Sequence, residues 1–257
     1  MNPLESLSSQ VPHLQHSFDS MPVVGSMTQY TFWMIICLAL TLLVVLVPAR
    51  KLTLVPKSKF ANMVEMGYEL VCNDMGKDAI GAGYEKHMGF IATMFFFILI
   101  SNFVGLIPGC KTPTGSLSVT WALSLVSFVY FNYYGIKAHG GWGYIKSIAP
   151  SGLPKVMVPV IWFFETISLM LRLLTLAVRL YGNMFAGHMV LGIFALASSV
   201  FLTAGIQGAG IATAGVSVGW FAMLTAMYLL EILVAFLQAY VFAILSSVYI
   251  GLATSEH

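Results

Sequence analysis

The chain alternates long apolar runs with shorter polar ones, and the lengths of the apolar runs carry most of the information. Residues 29–47 form a first run of ordinary spanning length, since about 20 apolar residues in a helix cover a hydrocarbon core about 30 Å thick. Residues 88–107 form a second run, stopped by Pro108 and Gly109, and residues 116–136 a third, rich in aromatics. Two much longer runs follow, 156–200 and 211–252. At 1.5 Å per residue, helices of roughly 45 and 42 residues would extend about 67 and 63 Å. Each must either fold back into two spans or cross very obliquely. A fold-back would need a turn near 179–182 or near Glu231, where there is no Pro and little turn chemistry. The favoured reading is two steeply inclined helices joined by the Gly/Ala-rich stretch 204–219, which makes five crossings.

Residues 57–86 have a different texture. Phe60, Met63, Val64, Gly67 and Val71 fall on one helical face, with acids and lysines around them. That pattern suits either a helix lying on the membrane surface or a small loop domain outside it. Arg50, Lys51, Lys57 and Lys59 follow the first run, and Lys137, His139, Lys146 and Lys155 follow the third, whereas the loop between the second and third runs carries only Lys111. Positive residues stay on the cytoplasmic side. Residues 1–26 are therefore expected outside, the C-terminus inside, and 27–257 form one transmembrane domain.

Composition agrees. Hydrophobic residues make up 58% of the chain and charged residues 9%, against about 25% charged in soluble domains. Lipid must act as solvent for much of the surface. The polar start has no Lys or Arg ahead of an apolar core, so it is not read as a signal peptide. The net charge of +2 includes no basic run, which argues against a nucleic-acid partner. Cys37, Cys72 and Cys110 have no zinc or redox spacing, and no metal or cofactor is expected. There is no phosphate-binding Gly-Lys loop, so the chain should not bind ATP or act as an enzyme by itself. Gly215-Val216-Ser217-Val218-Gly219 matches the nucleophile-elbow pattern but lacks its strand–turn–helix setting. It reads better as small residues that let helices approach closely.

The candidate chemistry lies in the two long runs. After residue 87 the only acids are Glu165, Glu231 and Glu256, and two of these sit in apolar surroundings. The fourth run also holds Arg172, Arg179, Asn183 and His188, and the fifth holds Gln238. A charge at membrane depth costs about 2.5–3.5 kcal/mol on insertion scales, so these groups need a reason. At about 100° per residue, Glu165, Arg172, Arg179 and Asn183 share one stripe, while His188 lies about 180° from Arg179. Glu231, Gln238 and Tyr249 share a stripe on the fifth helix. Arg keeps its charge in proteins, whereas His and Glu are readily tuned to exchange protons. A fixed cation with a titratable group behind it suits a path that delivers protons towards a charge barrier. Plainer readings remain beside this one. Arg172 could snorkel to an interface, Glu165 could simply neutralise Arg172, and His188 could be a satisfied core histidine.

The run Leu176-Ala177-Val178-Arg179-Leu180-Tyr181-Gly182-Asn183-Met184-Phe185-Ala186-Gly187-His188 resembles the signature of subunit a of the F-type ATP synthases. Leu237-Gln238-Ala239-Tyr240-Val241-Phe242 is similar to the family's final helix, and Ser101-Asn102-Phe103-Val104-Gly105-Leu106-Ile107-Pro108 to an earlier span end. The resemblance covers residues 88–252. It implies an all-α integral membrane fold whose last two helices lie steeply tilted against a rotor ring of c subunits, with peripheral-stalk b subunits and the rest of the synthase as further partners. It implies that Arg179 is the essential arginine facing the ring, with Asn183 and Gln238 lining the site. His188 and Glu231 would be the two titratable half-channel positions, in the reverse of one common bacterial order. Glu165 would be an acidic position in one aqueous half-channel, and Arg172 is a neighbouring candidate. The mechanism so implied moves protons through two offset half-channels, with Arg179 forcing a rotor carboxylate to release its proton. The implied location is the bacterial plasma membrane, or alternatively the mitochondrial inner membrane. A self-contained secondary transporter would usually show a repeat, and none is visible. A purely structural subunit would need no buried arginine.

Overall fold

The fold was taken from a computed structural model, which describes residues 22–24, 27–49, 59–81, 83–147, 157–209 and 211–254. A minimal antiparallel pair, β1 (Pro22–Val24) with β2 (Met27–Thr28), leads into α1 (Gln29–Ala49). Then come α2 (Lys59–Leu70), a π-helical segment (Val71–Asp78), α3 (Glu85–Gly105), a short 3-10 turn (Pro113–Gly115), α4 (Leu117–His139) and α5 (Gly141–Ser147). The long α6 (Val158–Ala204), a second π-helical turn (Gly205–Ala209) and α7 (Ile211–Thr254) complete the chain.

The apolar runs became helices at the expected places. Neither long run folds back: α6 has 47 residues and α7 has 44, so each is far longer than a hydrocarbon core of about 30 Å. The Gly/Ala-rich stretch 204–219 joins them, and α7 begins at Ile211, where the fifth apolar run begins. Ala, Ile and Val alternate with its glycines, and glycine is tolerated in membrane helices.

Among the described residues, four helical segments are long and apolar enough to cross a membrane: Gln29–Leu46, Glu85–Gly105, Val158–Gln207 and Gly215–Thr254. The chain is an all-α integral membrane protein. The third expected run forms α4, whose 23 residues would suffice in length. It is absent from those four because it is less apolar. Thr120, Ser124, Ser127, Phe131 and Gly135 make a buried stripe of mostly small polar residues along it.

The core is built around α3. Ile91, Phe95 and Ile98 are almost wholly buried, and Phe131 of α4, Leu180 of α6 and Phe242, Ala243 and Ile250 of α7 pack in the same cluster. On α7, Ala235, Ala239, Ala243 and Ser247 recur every four residues with no exposure, so a neighbouring helix can approach the backbone closely. Ser127 donates to Ser246 at 2.9 Å and ties α4 to α7.

The 57–86 segment keeps its helix, and three of the five residues expected on its apolar face, Val64, Gly67 and Val71, are packed. Val64, Val71 and Met75 are buried and Gly67 meets the Phe96 ring, while Phe60 and Met63 are exposed. Arg50, Lys51, Lys57 and Lys155, used above to orient the chain, lie outside the described residues.

Candidate functional site

The face of α6 that packs inward is Leu176, Ala177, Leu180, Met184, Gly187 and Leu191. Helical spacing then turns Arg179 outward, where it is exposed beside Val178. Among the described residues Arg179 has no hydrogen bond and no ion pair. One turn further, Asn183 is half-buried, and its Nδ2 is sealed from solvent without a protein partner.

Three contacts set α7 against α6. The Ser217 hydroxyl donates to the Ser198 carbonyl at 2.8 Å. The Glu231 carboxylate rests directly over Gly187. The guanidinium carbon of Arg172 lies 5.1 Å from the centre of the Tyr249 ring. These pairs advance in opposite directions along the two helices, so the packing is antiparallel, and Gln238 falls level with 179–180. Gln238 is 7% exposed and its Nε2 has no partner; Glu231 is 2% exposed and its Oε1 has none.

Gly187 explains how a carboxylate fits there. A Cβ at this position would overlap both carboxylate oxygens of Glu231. Arg179, Asn183 and Gly187 are successive i, i+4 positions, so they form one lane on α6. Glu231 occupies the far end of that lane.

His188 follows Gly187 on another side of the helix. Its Nε2 is buried without a partner. It lines a cavity of about 250 Å³ together with Tyr30, Lys111, Thr112, Phe185 and Gly192. Burial lowers the Lys111 ammonium from the ordinary lysine range.

A polar network holds the loop over this cavity. Asn102 donates to the Ala235 carbonyl at 3.2 Å and accepts from Thr114 at 2.8 Å. Thr112 bonds Thr114 at 2.7 Å and donates to the Ser101 carbonyl at 3.1 Å. Tyr228 of α7 donates to the Leu106 carbonyl. Gly105 is needed here, because a Cβ would strike the Thr112 side chain.

The fold thus sets Arg179 and Asn183 in one lane of α6 with Glu231 at its end and Gln238 level with Arg179, while His188 lines a cavity on another side of the helix. Glu165 and Arg172 stand apart from these residues, further towards the start of α6. They pair through Nη2 and Oε1 at 3.2 Å, with 40% and 25% of their side chains exposed. Neutralisation of Arg172 by Glu165 was one of the open readings, and that contact is made. No hydrogen bond joins His188 to Glu231 among the described residues. Sequence reasoning missed Thr112 and Thr114, and it gave no role to Gly187, Asn102 or the Tyr249 ring face beyond their places in the motifs and on the α7 stripe. The part played by Asn102 was open to inference, as a polar residue inside an apolar run.

Comparison with known proteins agrees with this architecture. The profile of the family described as ATP synthase A chain matches residues 31–251. The ATP synthase subunit a of Chloroherpeton thalassium is 36% identical over 238 residues, covering 90% of this chain and 67% of that one. The subunit a of Brucella ovis is 39% identical over 194 residues, covering 76% of this chain and 75% of its own, and that of Brucella canis is 38% identical over the same span. A match over nearly the whole chain, carried on four apolar helices of spanning length, means that the chain belongs to the ATP synthase A chain family and is a membrane subunit of that complex.

Proposed function

We propose that this chain is the ion-translocating stator subunit of a rotary ATP synthase, with Arg179 as its electrostatic barrier. One observation carries the reading: an exposed, unpaired arginine shares a lane of α6 with the half-buried Asn183, whose Nδ2 is unpartnered, the buried Glu231 of α7 sits at the end of that lane, and Gln238 lies level with the arginine. Arginine stays charged where lysine could shed its proton. An apolar band flanks it, with Leu171, Leu174 and Val178 on α6 and Leu230, Leu233 and Leu237 on α7 all exposed in the isolated chain. That band suits the apolar wall of a ring of c subunits.

On this reading the outer half-channel begins at the cavity under the 106–116 loop. It passes His188 and reaches Glu231 on Gly187. A proton from Glu231 neutralises a rotor carboxylate, which then faces lipid. After nearly a full turn the carboxylate meets Arg179, gives up its proton to an inner half-channel near Glu165 and Arg172, and passes as an anion. Arg179 blocks direct flow between the two. A potential of 100 mV supplies about 2.3 kcal/mol per proton. On the same reading the chain makes five crossings, two of them strongly tilted, and the positive-residue bias argues for an N-terminus outside and a C-terminus in the cytoplasm of a bacterium. The b subunits of the peripheral stalk hold the chain against rotation, and nucleotide chemistry belongs to other subunits.

Arg179→Lys in membranes carrying the whole complex tests this. ATP synthesis driven by a proton gradient should be abolished, while ATP hydrolysis by the detached head persists. Wild-type synthesis with lysine at this position would refute the barrier role.

A further inference from the structure

The rotor-facing stripe of α6 carries a second arginine. Arg172 lies seven residues before Arg179, two helical turns or about 10.5 Å along the same face. A second free guanidinium there would offer a deprotonated rotor carboxylate a competing partner. Yet Arg172 is not free. Glu165, two turns further on, holds its Nη2 at 3.2 Å, and the face of the Tyr249 ring lies 5.1 Å from its Cζ. Tyr249 is itself fixed, with its ring 5.9 Å from that of Phe131 on α4.

We propose that Glu165 and Tyr249 sequester Arg172, so that the stripe presents a passing rotor carboxylate with one free guanidinium, that of Arg179. This rests on the barrier role of Arg179 given above. The carboxylate matches the charge of Arg172, and the ring takes up its flat face. Together they draw it along the helix axis and towards α7. The arrangement leaves the cation in place but spends its attraction inside the chain. Glu165 and Tyr249 are then positioning residues, and their effect is felt through Arg172.

Suppression tests this directly. ATP-driven proton pumping would be measured in inverted vesicles holding the whole complex, with the amount of this chain in the membrane checked for every variant. Glu165→Gln should release Arg172 and lower pumping several-fold. Adding Arg172→Gln to it should restore most of the loss, because the freed cation is gone. Tyr249→Leu should lower pumping, and Arg172→Gln should again restore it, whereas Tyr249→Phe keeps the ring face and should pump normally. A structural role alone predicts the opposite, since each double variant has lost more contacts than its single parent. A double variant no better than Glu165→Gln would overturn the proposal and make Glu165 a proton carrier in its own right. If Glu165→Gln fails to accumulate in membranes, the Tyr249→Leu pair decides by the same criterion. Arg179→Lys runs alongside: if it pumps like wild type, the barrier reading fails, and if it is inactive while neither double recovers, only the sequestration fails.

Discussion

Gly187 and Glu231 constrain each other. The carboxylate occupies the space a side chain would need, and the glycine exists in that lane so the carboxylate can reach the backbone of α6. Adding a methyl group to a filled site typically costs about 1–3 kcal/mol. In Gly187→Ala the softest thing to move is the Glu231 side chain, so the overlap displaces the carboxylate. Proton pumping should fall roughly tenfold or more, since about 1.4 kcal/mol corresponds to a factor of ten in rate. Shortening the acid in Gly187→Ala/Glu231→Asp should recover part of it. Equal pumping in Gly187→Ala and wild type would show that the seat has no bearing on transport. The acid itself was legible in the sequence, because a lone carboxylate among Leu230, Ile232 and Leu233 is conspicuous. Its seat was not, because a glycine's purpose depends on which group of another helix faces it. The same limit hid the role of Tyr249, which was placed on the stripe of Glu231 but whose ring face matters only once α7 is set antiparallel beside α6.

The loop between α3 and α4 is a braced element. Asn102 spends its amide on the Ala235 carbonyl and its oxygen on Thr114. That links the roof of the cavity to α7 one turn from Glu231. Asn102→Ala removes both bonds, each worth about 0.5–1.5 kcal/mol net, while Thr114 keeps its bond to Thr112. The loop should then open more often. Cys110, half-buried in that loop, reports on it. Its reaction with a maleimide should speed up about tenfold or more in Asn102→Ala, and an unchanged rate would show that the brace is not needed. Helices were the most legible elements, since run length and apolarity fix them almost regardless of packing. The π-helical segments and the tight turn after α6 were not legible. They depend on how neighbouring helices take up an extra residue, which no local pattern records.

For the molecule as a whole, the charge bias predicts an orientation with the N-terminus outside. The two half-exposed cysteines sit in elements that this orientation puts on opposite sides: Cys72 in the π-helical segment and Cys110 in the cavity loop. Cys37 is buried. A membrane-impermeant maleimide should label Cys110 in right-side-out vesicles and Cys72 in inverted ones. The reverse pattern would invert the topology.

The tight turn at Gly205–Ala209 gives the long hairpin a pivot at one end. Near it, the Ser217–Ser198 bond acts as a rivet. Gly187 and Glu231 lie about 20 residues away, roughly 30 Å along the helix axes. Arg172 and Tyr249 lie nearer the open end, roughly 55 Å from the pivot. Angular opening grows into separation with distance, so one degree parts the helices by about 0.5 Å at Gly187 and about 1 Å at Arg172. If a rotor turns against the hairpin as proposed, its sideways load strains the distal clasp about twice as much as the seat of Glu231, and the acid keeps its place in loads that already loosen the far end of the lever.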